Sequence, residues 1–195
     1  MDIFVELFGL VTGILYLWYE IKHDNRMWYI GIIMALVYIY LFAAEHLYAS
    51  MSYQIYYLLM SVYGIYCWKR DASGDSALVV NRMEVRPAVI SGLLALVVFL
   101  VSYFLLSDYT DASQPFLDSL VTSLSLLATY WLSKSWIWQW GLWVIVNVCS
   151  VIMFCNQGMF PTALLYLFYT FSAIYGFYYW RNLYICFLLI LTFFI

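Results

Sequence analysis

Apolar runs of about twenty residues, separated by short polar breaks, set the pattern of this chain. Seven of them fall at 3–21, 27–45, 51–68, 88–107, 116–133, 137–155 and 162–180. Each is close to the roughly 20 residues a helix needs to cross the hydrocarbon of a bilayer. The runs do not alternate, which excludes the two-residue period of a membrane β-barrel. A backbone in lipid must satisfy its own hydrogen bonds, so the expected elements are helices. Pro87, Pro115 and Pro161 stand just before or at the start of a span, where a missing N–H is harmless. The longest polar stretch, Lys69 to Arg86, separates two halves. The final apolar stretch, Leu183–Ile195, is too short to cross unaided. It is expected to lie at the interface or to be an altered terminus, and no function is assigned to it.

The two halves repeat. A shift of 112 residues aligns Glu6–Lys69 with Asp118–Arg181 without a gap. Tyr63-Gly64-Ile65-Tyr66-Cys67-Trp68 falls on Tyr175-Gly176-Phe177-Tyr178-Tyr179-Trp180. Lys22 falls on Lys134, Trp28 on Trp140 and Phe42 on Phe154. The expected fold is all-α: a polytopic membrane protein with one transmembrane domain over residues 1–195. Seven transmembrane helices form two three-helix repeats, 6–69 and 118–181, joined by a linker helix at 88–107. A single odd span keeps the triplets in the same orientation, so this 3+1+3 order predicts a parallel repeat about an axis along the membrane normal.

Composition agrees: 67% of residues are hydrophobic and 10% charged, against about 25% charged in a typical soluble domain. Asp2 and Glu6 stand where a cleavable signal peptide would carry basic residues, so none is expected. The charges give an orientation. Lys22, Arg26, Lys69, Arg70, Arg82, Arg86, Lys134 and Arg181 are all eight basic residues, and they fall on one side of a seven-span protein. The other side carries Asp2, Glu45, His46, Asp108 and Asp111. By the positive-inside rule the N-terminus is outside and residue 181 cytoplasmic. Cys67, Cys149, Cys155 and Cys186 lack metal-ligand spacing and read as small hydrophobes. His23 and His46 fall in short polar connections, which makes a metal site an unfavoured reading.

The candidate chemistry centres on Trp136-Ile-Trp138-Gln-Trp140-Gly-Leu-Trp143-Val-Ile-Val-Asn147. Trp140, Trp143 and Asn147 stand at i, i+3 and i+7 and share a helix face. Two indoles beside an amide suit a flat, polar, cationic ring. The competing reading is an interfacial tryptophan belt followed by an ordinary amide contact between helices. The repeat decides between them, because Trp28, Gly31 and Ala35 underlie the trio. One half offers a small-residue packing wall and the other the reading groups, which favours a ligand role. Parallel repeats place such a site near mid-depth between the halves.

Gln54 and Tyr57 in the third span, and Tyr166, Tyr169 and Thr170 in the seventh, are further candidates to line the cavity. Hydrogen bonding between helices is the competing role for each. Thr122, Ser123, Ser125 and Thr129 suit packing equally well. Glu6 and Asp118 match as helix N-terminal charges, and Glu20 and Glu45 at span ends are expected to be solvated. No acidic residue stands near the middle of a span, which argues against a buried proton relay. HExxH, GxSxG and P-loop patterns are lacking, so catalysis, a bound cofactor and a nucleic-acid partner are not expected. A membrane structural or assembly role stays open as the alternative of a different class.

The chain resembles the PnuC family of bacterial vitamin transporters, related in fold to the SWEET sugar transporters. The resemblance rests on Pro115-Phe116-Leu117-Asp118-Ser119-Leu120, Trp140-x-x-Trp143 with Asn147, Gly158-Met159-Phe160-Pro161-Thr162-Ala163, and Tyr175-Gly176 before Trp180-Arg181. It implies a homotrimer in the bacterial inner membrane and facilitated uptake of nicotinamide riboside, with phosphorylation in the cytoplasm trapping the substrate. It also implies that Trp140, Trp143 and Asn147 contact that substrate. Leu117 departs from the pattern, since members often carry an aromatic residue there. Members that carry thiamine, riboflavin or deoxynucleosides share most of it, so thiamine or another cationic vitamin or nucleoside is the alternative cargo.

Overall fold

The computed structural model describes residues 3–72, 80–81 and 83–193, with side chains for all of these except 3–6, 49, 72 and 186–193. Seven α-helices account for most of them: α1 (Ile3–Ile21), α2 (Arg26–Ala44), α3 (Tyr48–Ala72), α4 (Val85–Tyr109), α5 (Pro115–Ser133), α6 (Gln139–Asn156) and α7 (Phe160–Phe193). Among the described residues, α2, α4, α6 and the stretch Phe160–Ile185 of α7 are long and apolar enough to cross a membrane. The others are more polar or shorter for identifiable reasons. α3 ends on Lys69, Arg70 and Asp71, and α5 carries Asp118 with Ser119, Thr122, Ser123, Ser125, Thr129 and Ser133. The described apolar part of α1 is confined to Leu7–Ile21. The tail differs from expectation. Residues 183–193 continue α7 as one helix and do not form a separate segment, because no proline or glycine follows Gly176 to stop it.

The helices gather into two compact units, one built on α1–α3, the other on α4–α7. Ser133–Ser135 and the residues beyond Arg181 belong with the first. The units share an internal plan that the 112-residue shift exposes. α1 and α5 are both 19 residues long and end in equivalent turns. Asp24 N–H bonds to Tyr19 O at 2.9 Å, and Trp136 N–H bonds to Trp131 O at 3.1 Å. His23 (φ 53°) and Ser135 (φ 55°) occupy the left-handed position within those turns. The ends of α2 and α6 match as well. Leu47 N–H bonds to Phe42 O at 2.8 Å and Met159 N–H to Phe154 O at 2.9 Å, with His46 (φ 57°) and Gly158 (φ 73°) left-handed. This six-to-one bond around a left-handed residue is the Schellman stop, which satisfies carbonyls a helix end leaves open.

Within each unit a tryptophan locks two successive helices together. Trp28 of α2 is fully buried, edge-on to Trp68 of α3 at 5.4 Å and 80°. Its ring fills the space where Gly64 would carry a Cβ. In the second unit Trp140 of α6 meets Trp180 of α7 at 5.5 Å and 90°, and a Cβ on Gly176 would lie 2.5–2.6 Å from the Trp140 ring. The glycines are therefore required by close approach. Elsewhere in the second unit, Trp131 Nε1–H donates to Ser91 Oγ at 3.1 Å, joining α5 to α4. Gln114 joins α5's entry to the end of α6: its Nε2–H donates to Met153 O at 3.0 Å, and Asn156 Nδ2–H donates to Gln114 Oε1 at 3.0 Å. The hydroxyls of Ser123, Ser125, Thr129, Ser150 and Thr170 bond back to carbonyls of their own helices.

Basic residues at one end of the first unit lie over aromatic rings. Lys22 sits 4.2 Å from the Trp18 centroid, Arg26 4.7 Å from Tyr19, and Lys134 4.9 Å from Tyr63. Arg26 also forks onto Asp24, with Nη2 2.7 Å from Oδ2. That hydrogen bond holds the Asp24 carboxyl below the usual carboxylate range. Large apolar side chains are widely exposed, Val89, Ile90, Leu93, Leu94, Val97 and Leu100 of α4 among them. Such a surface suits lipid and not water.

Candidate functional site

The tryptophan run does not act as a uniform belt. Trp136 is buried, edge-on to Tyr130 at 6.3 Å and to Trp131 at 6.0 Å. Trp138 is 55% exposed. Trp140 is committed to the Gly176–Trp180 lock, so its ring backs α6 onto α7. Trp143 is half-buried, and its Nε1–H is buried without a hydrogen-bond partner among the described residues. Trp140 and Trp143 lie three residues apart, and at about 100° per residue their side chains leave the helix about 60° apart, enough for one to face α7 and the other to sit beside Asn147.

Asn147 stands in the middle of α6, is 6% exposed, and makes no side-chain hydrogen bond among the described residues. Its amide keeps some accessible surface. A buried amide with nothing to bond to is costly, by about 1–3 kcal/mol for each unmet group, and in an apolar span there is no bulk water to relieve it. Trp143 and Asn147 stand at i and i+4, one above the other on the same ridge. They offer an indole face with an amide beside it, groups whose chemistry suits a flat ring with a polar substituent.

The other predicted residues divide between the units. Tyr166 and Tyr169 of α7 are half-buried and meet edge-on at 6.0 Å. Tyr166 stacks on Phe154 of α6 at 5.2 Å and 22°, which ties this pair to the far end of α6. Thr170 is buried and bonds to Tyr166 O at 2.9 Å, a helix-internal role. Gln54 and Tyr57 are half-buried on α3 of the first unit, at the positions that the repeat pairs with Tyr166 and Tyr169.

Sequence reasoning missed three groups. Glu20, expected to be solvated at a helix end, is only 4% exposed; the last turn of α1 packs inward there. His23 is buried, lies 4.2 Å from the Trp68 ring, and its Nε2 is 3.0 Å from Ser135 Oγ. His23 and Ser135 are repeat counterparts, a signal available from the 112-residue shift. Gln139 is fully buried, and neither its Nε2 nor its Oε1 has a partner among the described residues. Asp118 is half-buried in the first turn of α5, while the Glu6 side chain lies outside the described residues, as does that of Cys186. Among the described residues no cluster of His, Cys, Asp and Glu is placed to hold a metal.

Long apolar helices with widely exposed apolar side chains define a multi-pass helical membrane protein. The family model for the nicotinamide mononucleotide transporter matches residues 3–182. The chain belongs to that family. It is 27% identical over 203 residues to the nicotinamide riboside transporter PnuC of Escherichia coli (strain K12), covering 91% of this chain and 85% of the relative. The nicotinamide riboside transporter PnuC of Neisseria mucosa is 24% identical over 196 residues, covering 93% of this chain and 73% of the relative. The crystal structure of the vitamin B3 transporter PnuC has the same fold, with a TM-score of 0.70 and 21% identity over 94% of this chain and 83% of that one.

Proposed function

We propose that this protein mediates facilitated uptake of nicotinamide riboside across the bacterial inner membrane, with phosphorylation in the cytoplasm trapping the substrate. The observation that carries this is the mid-helix amide of Asn147 beside the half-open indole of Trp143, neither with a protein partner among the described residues. Family membership and the names of the relatives support the same cargo. Nicotinamide riboside carries a permanently positive aromatic ring. An indole face attracts such a ring by roughly 0.5–2 kcal/mol without a carboxylate in the membrane. Asn147 supplies a donor and an acceptor for its substituent. Tyr166 and Tyr169 extend the aromatic lining on α7, and Trp140 forms the packed wall behind it. The working assembly is a homotrimer of chains, each with seven spanning helices in the 3+1+3 order.

The carrier works without obligatory ion coupling. Glu20 is the one buried acid among the described residues, and it stands in the last turn of α1, not at mid-depth. Proteoliposomes are expected to equilibrate the substrate with no gradient applied, and to accumulate it only when a phosphorylating enzyme is sealed inside. Glu20→Gln should reach the same final distribution. Accumulation of unmodified substrate that an uncoupler collapses would refute this. Thiamine added as competitor distinguishes the cargo, because a thiamine carrier would be blocked at far lower concentrations than a nicotinamide riboside carrier.

The orientation follows from the eight basic residues, with the N-terminus outside and Arg181 in the cytoplasm. Ser76 lies outside the described residues but within the basic connection. Cysteines introduced at Asp111 and at Ser76 should react oppositely with an impermeant thiol reagent in intact cells. Equal labelling at the two positions overturns the orientation.

A further inference from the structure

The ridge that carries Trp143 and Asn147 continues one turn toward the start of α6. Gln139, Trp143 and Asn147 stand at i, i+4 and i+8, so they form a single ridge along the helix. All three present polar atoms with no partner among the described residues: both amide atoms of Gln139, the indole N–H of Trp143 and the amide of Asn147. Their counterparts in the first repeat are Met27, Gly31 and Ala35, which carry no such group. Trp140 also buries an indole N–H with no partner among the described residues, but there the first repeat does the same at Trp28. Both rings make the same lock against a glycine and a tryptophan. The repeats thus agree where α6 packs and diverge at three successive positions of one ridge.

We infer that Gln139 is a substrate-reading residue, which bonds the sugar hydroxyls of a nucleoside whose ring lies on Trp143. This rests on the transport reading given above. The two amides flank the indole and are about 12 Å apart along the helix, from eight residues at about 1.5 Å each. That spacing suits a solute with a flat middle and a polar group at each end. A ribosylated ring has that form and a bare ring does not. Asn147 takes the substituent on the ring. Gln139, with its longer side chain, reaches the hydroxyls that stand away from the ring plane. In the present conformation Gln139 is sealed from solvent, so the substrate meets it when the inner end of the ridge opens, a step every alternating-access carrier must make.

The test compares two cations that share the ring and its carboxamide: nicotinamide riboside, and 1-methylnicotinamide, which has a methyl group in place of the sugar. Gln139→Met installs the residue that the first repeat buries at the matching position, so folding should be preserved. Its affinity for nicotinamide riboside is expected to fall about tenfold, the loss of a hydrogen bond to a buried group, while inhibition by 1-methylnicotinamide stays within about twofold. Gln139→Asn, which keeps the amide but withdraws it by one methylene, should show the same selective loss in smaller degree. Asn147→Leu should weaken both ligands. Unchanged binding of nicotinamide riboside by both Gln139 variants, or equal loss of both ligands, overturns the role of Gln139. The transport reading fails separately, if the parent protein itself binds no nicotinamide riboside.

Discussion

Replacing Trp140 with alanine is expected to cost about 3–5 kcal/mol of stability, the usual range for removing a large buried aromatic side chain. Trp28→Ala should cost a similar amount. Both indoles are sealed from solvent, both stand edge-on to a second tryptophan, and both occupy the space over a glycine. The glycines give the reciprocal experiment. Gly176→Ala and Gly64→Ala would drive a methyl group into the ring, and overpacking of that kind costs about 1–3 kcal/mol. Thermal unfolding of the purified variants in detergent reads all four. Trp140→Ala that melts with the parent, yet no longer binds substrate, would return this indole to the recognition face and remove the lock.

The fold was largely legible because it is written in features that survive without knowledge of contacts. Continuous apolar runs have few solutions in lipid other than helices, and the observed ends of α1, α2 and α5 fall within a residue or two of the sequence-based ones. Under the 112-residue shift the turn at His23 falls on that at Ser135, and the turn at His46 on that at Gly158. The end of the chain was less legible. An apolar stretch too short to span by itself reads as separate when the preceding run is closed at Arg181. Hydropathy sees a charged residue as a border, whereas the helical backbone passes through it to Phe193.

What packing adds to the sequence is which side of α6 each tryptophan faces. Tryptophans at i and i+3 share a face in projection, but a helix in a bundle has neighbours on more than one side. Position 140 turns toward α7, while position 143 sits on the ridge with Asn147. The clue to this lay in the repeat: Trp28 had already assigned the lock, since a residue kept at a repeated position serves what the repeats share. The same comparison marks Gln139, opposite Met27, as a difference. Glu20 and His23 escaped notice for another reason. Solvation of a charged residue at a helix end is the ordinary expectation, and only packing reveals that Glu20 and His23 at the end of α1 are enclosed.

Binding should respond most to the pair that the ridge leaves unpartnered. Trp143→Ala is expected to weaken nicotinamide riboside binding by roughly 1–2 kcal/mol, about tenfold, since the cation loses the indole face. Trp143→Phe should recover part of this, because a phenyl face attracts cations less strongly. The protein should still fold, as the first repeat forms its corresponding helix with Gly31 at that place. Asn147→Leu replaces the amide with an apolar group of similar size and breaks no protein hydrogen bond among the described residues. It should therefore leave stability unchanged or raised, while lowering affinity. Those opposite directions separate a ligand contact from a structural one, because an amide that held helices together would lose stability on the same substitution. Calorimetric titration with nicotinamide riboside and, separately, thiamine reads the affinities, and melting curves of the same samples read the stabilities. If Trp143→Ala and Asn147→Leu both bind like the parent, recognition lies off this ridge, and the unmet polar groups of α6 serve the carrier's other conformations instead.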